Sequence, residues 1–288
     1  MRSSNPVLSR PDAFTPQQQG YQQQGYQQGP QPGYQQPGYG GYQQPGYDQQ
    51  NPYAQPGQYG PQGPVQAGGL MTIDDVITKT AITLGSVIAT AVLTFMFMPA
   101  QFLFPAAIVA ALVGFVTVLL VAGRRKVNPG MVLAYAAIEG VFIGAISKVY
   151  ETAWGGIVPT AVLATVVAAA ATLGAYKFFR IKVTSKFRKV VMIGTLAYAG
   201  VLMVNFVMSM FGGGFLFSHG NLALLLLISA VGVGLAVFNL ILDFDYVEQG
   251  IAMGAPASES WRGAFGLTVT LVWLYIEMLR LLSYFRSN

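Results

Sequence analysis

From Leu70 onward the chain is a series of long apolar runs separated by short polar connections. Seven runs can be drawn, at Val76 to Met98, Phe104 to Ala122, Gly130 to Tyr150, Ile157 to Phe178, Val190 to Phe211, Asn221 to Leu242 and Ala264 to Phe285. Each holds about twenty residues, which at about 1.5 Å of rise per residue crosses a hydrocarbon layer of about 30 Å. No stretch shows the strict alternation of a strand, so the pattern predicts an all-α fold of seven transmembrane helices. Thr72 followed three residues later by Asp75 suits a helix N-cap with negative charge at its positive dipole end. Pro99, Pro105, Pro129 and Pro159 fall at run edges and mark the same boundaries.

Residues 1–69 obey a different rule. There 19 Gln, 13 Gly, 11 Pro and 8 Tyr fill 51 of 69 positions, and the unit GYQQ starts at Gly20, Gly25, Gly33 and Gly41. Such a stretch has too little apolar surface to offset the entropy of ordering it, so a disordered arm is expected ahead of a membrane domain over residues 70–288. Its tyrosines suit repeated weak contacts with a membrane-protein partner or with other copies; an inert spacer is the plainer alternative. It holds no apolar run of signal-peptide length, and retention of the arm is expected.

Composition narrows the function. Only 9% of residues are charged, against roughly a quarter in soluble domains. The absence of Cys excludes disulfides, thiolate metal sites and a thiol nucleophile, and a single His excludes a His-rich metal site. No resident cofactor is expected. Ser218 and His219 adjoin, but neighbours in one connection do not place nucleophile and base at membrane depth, so no enzyme is expected. The net charge of +5 does not signal nucleic acid, because the arm is neutral and the basic residues sit between apolar runs.

Those basic residues report orientation. Arg124, Arg125 and Lys126 follow the second run; Lys177, Arg180, Lys182, Lys186, Arg188 and Lys189 surround the connection after the fourth. The connections after the first and fifth have none. The positive-inside rule puts the N-terminus in the cytoplasm and, after seven spans, the C-terminus outside. The basic turns also suit anionic lipid headgroups.

Carboxyl groups at membrane depth cost at least about 2.5 to 3.5 kcal/mol on insertion scales and so attract a functional reading. Glu139 lies inside the third run, Asp243 and Asp245 close the sixth, and Glu277 lies inside the seventh with Arg280 three residues on. A local ion pair is the plain reading of Glu277, and close helix packing through Gly140 and Gly144 is the plain reading of the Glu139 region. Asp243 and Asp245, about 200° apart around a helix, cannot face one interior site together. Asn205, Tyr135, Tyr198 and Tyr275 are expected to serve as interhelical or interfacial groups.

The order of features, with the Glu139–Gly140 pair in the third run, ILxD closing the sixth and LYIEMLRLL in the seventh, resembles the Bax inhibitor family, also called the YccA-like or transmembrane Bax inhibitor motif family. The likeness covers about Met71 to Asn288 and leaves the arm aside. It implies a bundle with a central seventh helix wrapped by the other six, and a pH-sensitive calcium leak. Asp243 and Glu277 would share a proton as sensor and act as transient calcium ligands, and Arg124 or Arg125 would latch onto Asp243. Where the family commonly has a Thr, Ser or Asn after the sixth-helix acid, this chain has Phe244 and then Asp245, which would be an auxiliary acid, and Glu139 would be a further intramembrane acid. The connection from Leu242 to Ala264 looks longer than usual for the family. Calcium, which takes six to eight oxygen ligands, would be held weakly by so few acids. The long arm before such a core resembles actinobacterial members and implies a bacterial plasma membrane.

The expected function is therefore a pH-sensitive cation leak in contact with lipid, calcium and protons. The alternative is a non-transporting regulator that binds a membrane protease or stress-response partner through residues 1–69. One geometric difficulty is visible in advance. Glu277 stands roughly 20 Å into a helix that begins at Ala264, whereas Asp243 would sit near the end of its neighbour.

Overall fold

A computed structural model describes residues 69–124, 126–211 and 222–287. The predicted arm, apart from Gly69, together with Arg125, Ser218 and His219, lies outside the described residues. Among the described residues the chain forms seven helices: α1 Ile73–Phe97, α2 Ala100–Ala122, α3 Pro129–Ala153, α4 Ile157–Phe178, α5 Ser185–Met210, α6 Leu222–Ala252 and α7 Glu259–Arg286. All seven are long and apolar enough to cross a membrane.

Local chemistry accounts for the ends. The Thr72 hydroxyl accepts the Asp75 amide at 3.2 Å, and Asp74 and Asp75 occupy the first turn of α1. Asn128 caps α3 by accepting the Gly130 amide, with Pro129 as the first helical residue, where a missing N–H costs nothing. Pro105 and Pro159 are not boundaries. Each lies inside the early part of its helix, α2 and α4 respectively.

α6 differs most from the sequence pattern. It continues to Ala252, ten residues past the expected end, and α7 starts at Glu259, five before the expected start. The seemingly long connection shrinks to residues 253–258. The DFD string reads as a solvated helix end by composition, but its acids find partners on other helices and the helix runs on through them.

α7 is the central helix. It packs directly against α1, α3, α4 and α6, and reaches α2 and α5 only through side chains. Val272, Tyr275 and Leu279 of α7 meet Ala136, Ile143, Ile157 and Ala161 in the main buried cluster. α1 seats on α3 at the expected glycines: a Cβ on Gly140 would lie 2.5 Å from the Val87 carbonyl oxygen, so only glycine admits this approach. α5 is peripheral, its backbone packed against α6 alone. The outward faces stay apolar; Phe97, Phe178 and Leu196 are 72%, 84% and 70% exposed, a surface that needs lipid rather than water around it.

One end of the bundle, here the basic end, gathers the start of α1, the α2–α3 and α4–α5 connections and the α6–α7 connection. There Met71 and Gly69 pair antiparallel with Ala255 and Ala257 through backbone bonds of 2.7 and 3.1 Å. Lys79 bonds Asp75 and the Ala257 carbonyl and lies over the Trp261 ring, tying α1 to the start of α7.

Candidate functional site

The helical spacing of Trp273, Glu277 and Arg280 sets all three on one face of α7. Glu277 is fully buried. Its Oε1 accepts from the Trp273 indole at 3.1 Å and from the Tyr198 hydroxyl of α5 at 3.1 Å. Arg280 Nη1 lies 3.2 Å from Oε2 and also donates to the Tyr198 hydroxyl at 3.2 Å. Gly232 on α6 makes room, because a Cβ there would lie 2.6 Å from Oε2. A carboxylate, a guanidinium, a phenol and an indole thus close on one another inside the bundle, and each polar atom of the acid is answered.

Asp243 sits nearer the basic end, half-buried between α6 and α7. It accepts a hydrogen bond from the Thr270 hydroxyl, and Gly266 lies against its Oδ1. These contacts fix the register of the antiparallel pair: Gly232 stands level with Glu277, and Asp243 level with Gly266. Eleven residues separate the two levels along either helix, about 16 Å at 1.5 Å per residue.

The structure therefore does not bring Asp243 and Glu277 together as a proton-sharing pair. The extension of α6 past Asp243 does not close the gap, since α7 also begins earlier at the same end and the two acids stay eleven residues apart in level. No ion pair joins Arg124 to Asp243 among the described residues, and Arg125 lies outside them. The Arg124 side chain is exposed, and its backbone carbonyl accepts from Arg262. Instead Arg188 of α5 pairs with Asp245 at 2.8 Å, and Gln249 donates to the same carboxylate. Asp243 faces α7 and Asp245 faces α5, the divergence expected from their 200° separation.

Glu139 occupies a third position. It lines a pocket of about 230 Å³ between α2, α3 and α7, beside the Tyr135 phenol of its own helix and opposite Gly114. Trp273 forms part of the same wall while its indole N–H points to Glu277. Three carboxyls thus surround α7 at separate depths. Among the described residues no three acids or imidazoles converge as a metal cage.

Trp273, Thr270 and Arg188 are partners that the sequence pattern did not connect to these acids, whereas Tyr198 is the interhelical group expected of it. Trp273 precedes Glu277 by four residues, a helical spacing visible in the sequence, whereas Thr270 meets Asp243 only through the register of α7 against α6. Tyr198 and Arg188 come from α5, and nothing local to them names the acid they meet. Tyr275 likewise serves as an interhelical group, its hydroxyl 2.7 Å from that of Ser147 of α3.

With this geometry in place the comparisons are direct. Residues 5–287 match the family described as Bax inhibitor 1 like. The chain belongs to that family and is an integral membrane protein with seven membrane-spanning helices. No curated protein matches it.

Proposed function

We propose that this protein is a proton-sensitive leak for calcium and similar cations in a bacterial plasma membrane, with its basic end in the cytoplasm and its C-terminus outside. Burial of Glu277 carries the reading. A carboxylate wholly withdrawn from solvent at membrane depth is costly, and such groups commonly line ion or proton pathways. Gaining a proton removes its charge, weakens its bonds to Arg280 and Tyr198, and so loosens the hold of α7 on the peripheral α5. Acid then favours opening. Arg188 and Asp245 act as a second clasp on α5, in the role the sequence assigned to Arg124 or Arg125.

Glu139, beside α7 and between the other two in level, is an auxiliary acid; Asp243, nearer the basic end, serves as the cytoplasmic-side calcium ligand and Glu277 as the deeper one. Each offers few oxygens, so calcium is cargo held weakly in passage rather than a resident ion. The test is calcium entry into vesicles carrying purified protein between pH 6 and pH 8. Loss of flux or of its pH dependence in D243N/E277Q supports the leak; unchanged flux and pH dependence refute it.

One observation favours a second reading. Arg280 already neutralises Glu277, as it would in a purely structural lock. A non-transporting regulator that meets a membrane-protein partner through residues 1–69 then loses function when those residues are deleted and is indifferent to D243N/E277Q.

A further inference from the structure

We infer that the Glu139 pocket is a binding site for a lipophilic organic ammonium ion, entered from the bilayer between α2 and α7. The backbones of α2 and α7 do not touch, and the pocket is the window between them, floored by α3. Its mouth is flanked by Phe115, 47% exposed, so it faces the lipid side of the bundle. Glu139 shares the lining with the aromatic side chains of Phe115, Tyr135, Phe142 and Trp273. No Lys or Arg lines the space, and Glu139 forms no ion pair among the described residues.

Charge complementarity selects the occupant. A carboxylate in apolar surroundings requires a proton or a cation, and the cation must suit the rest of the wall. Calcium needs six to eight oxygens and meets one carboxyl and one phenol here. An alkylated ammonium needs no oxygen cage: its charge faces the carboxylate, and its methyl groups rest on aromatic faces. Gly114 keeps the place open, since a Cβ there would lie 3.1 Å from Glu139 Oε2. A volume of about 230 Å³ suits a small ammonium carrying an aromatic or short alkyl group.

The inference is independent of the leak, because binding would persist in a protein that passes no ions. The test uses the full-length protein in lipid nanodiscs with benzyltrimethylammonium as probe and benzyl alcohol as its neutral control, read by calorimetry. Quenching of Trp273 fluorescence in a W154F/W261F background gives a second readout. Wild type is expected to bind the cation saturably and the alcohol at least ten-fold more weakly. E139Q should weaken cation binding at least ten-fold, G114V should do the same with the acid intact, and E139D should stay within a few-fold of wild type, each with thermal unfolding recorded to confirm folding. Absence of saturable binding by wild type, equal binding by folded E139Q, or displacement of the probe by submillimolar calcium would overturn the assignment.

Discussion

Tyr198 on α5 donates to Glu277 on α7 across 3.1 Å although the backbones of these helices do not touch. The phenol also accepts from Arg280, so one hydroxyl joins a peripheral helix to both members of the central ion pair. That joint matters because the backbone of α5 packs against α6 alone. Besides its packing on α6, it holds Asp245 through Arg188 and Asn239 through Thr195.

Removing one member of the Glu277–Arg280 pair should cost more than removing both. R280M leaves a buried carboxylate without its cation, a loss of about 3 to 5 kcal/mol, whereas R280M/E277Q removes the charges together and should recover a large part of it. Thermal unfolding of the single and double variants in one detergent checks this; a double variant less stable than R280M contradicts the buried pair.

Y198F should act on α5 in particular. Losing the hydroxyl removes a bond to charged groups, worth about 1.5 to 3 kcal/mol. Hydrogen exchange should speed up along α5 while amides of α7 near Thr268 stay protected, since Tyr198 ties the outer helix to an inner one already held on several sides. Equal acceleration in both helices would contradict this division.

The clasp at the basic end should be weaker. Arg188 is 47% exposed, so R188A is expected to cost no more than about 1 kcal/mol, and less as salt rises. A cost matching that of R280M would mean that the pair is far drier than its exposure indicates.

Two glycines should respond in opposite ways to a methyl group. G140A drives a Cβ to 2.5 Å from the Val87 carbonyl oxygen and should destabilise the α1–α3 contact by about 1 to 3 kcal/mol. G200A meets nothing within 4 Å on the outward face of α5 and should stabilise by up to about 1 kcal/mol through helix propensity. Thermal unfolding distinguishes them, and similar shifts for both would argue against the close α1–α3 approach.

The spans were legible in the sequence because hydropathy reports which segments lipid can cover. Ile157–Phe178 is the clearest example, the helix and the apolar run sharing both bounds. The extent of α6 was hidden for a related reason: a count of acids reads Asp243 and Asp245 as a wet terminus, while the helix depends on Thr270 and Arg188, more than twenty and more than fifty residues away. Pro105 misled similarly: it is the sixth residue of α2, past the first turn, and membrane helices tolerate proline inside them. The acids themselves were found, since cost marks them wherever they fall. Their partners were not, because pairing depends on the register between helices, and apolar periodicity carries little information about register. A resemblance in motif order supplied a pairing of Asp243 with Glu277 that the heights of Gly232 and Gly266 on α6 and α7 do not allow.

Separate acids should act separately, and calcium flux into vesicles tests that most directly. With wild type, D243N, E277Q and D243N/E277Q compared at one pH, the logarithms of the two single effects should add in the double variant, as expected for groups without a shared partner. Loss in each single variant equal to the loss in the double would show the two carboxyls working as one unit and contradict their placement at different depths; undiminished flux in all three variants would remove them from the pathway altogether.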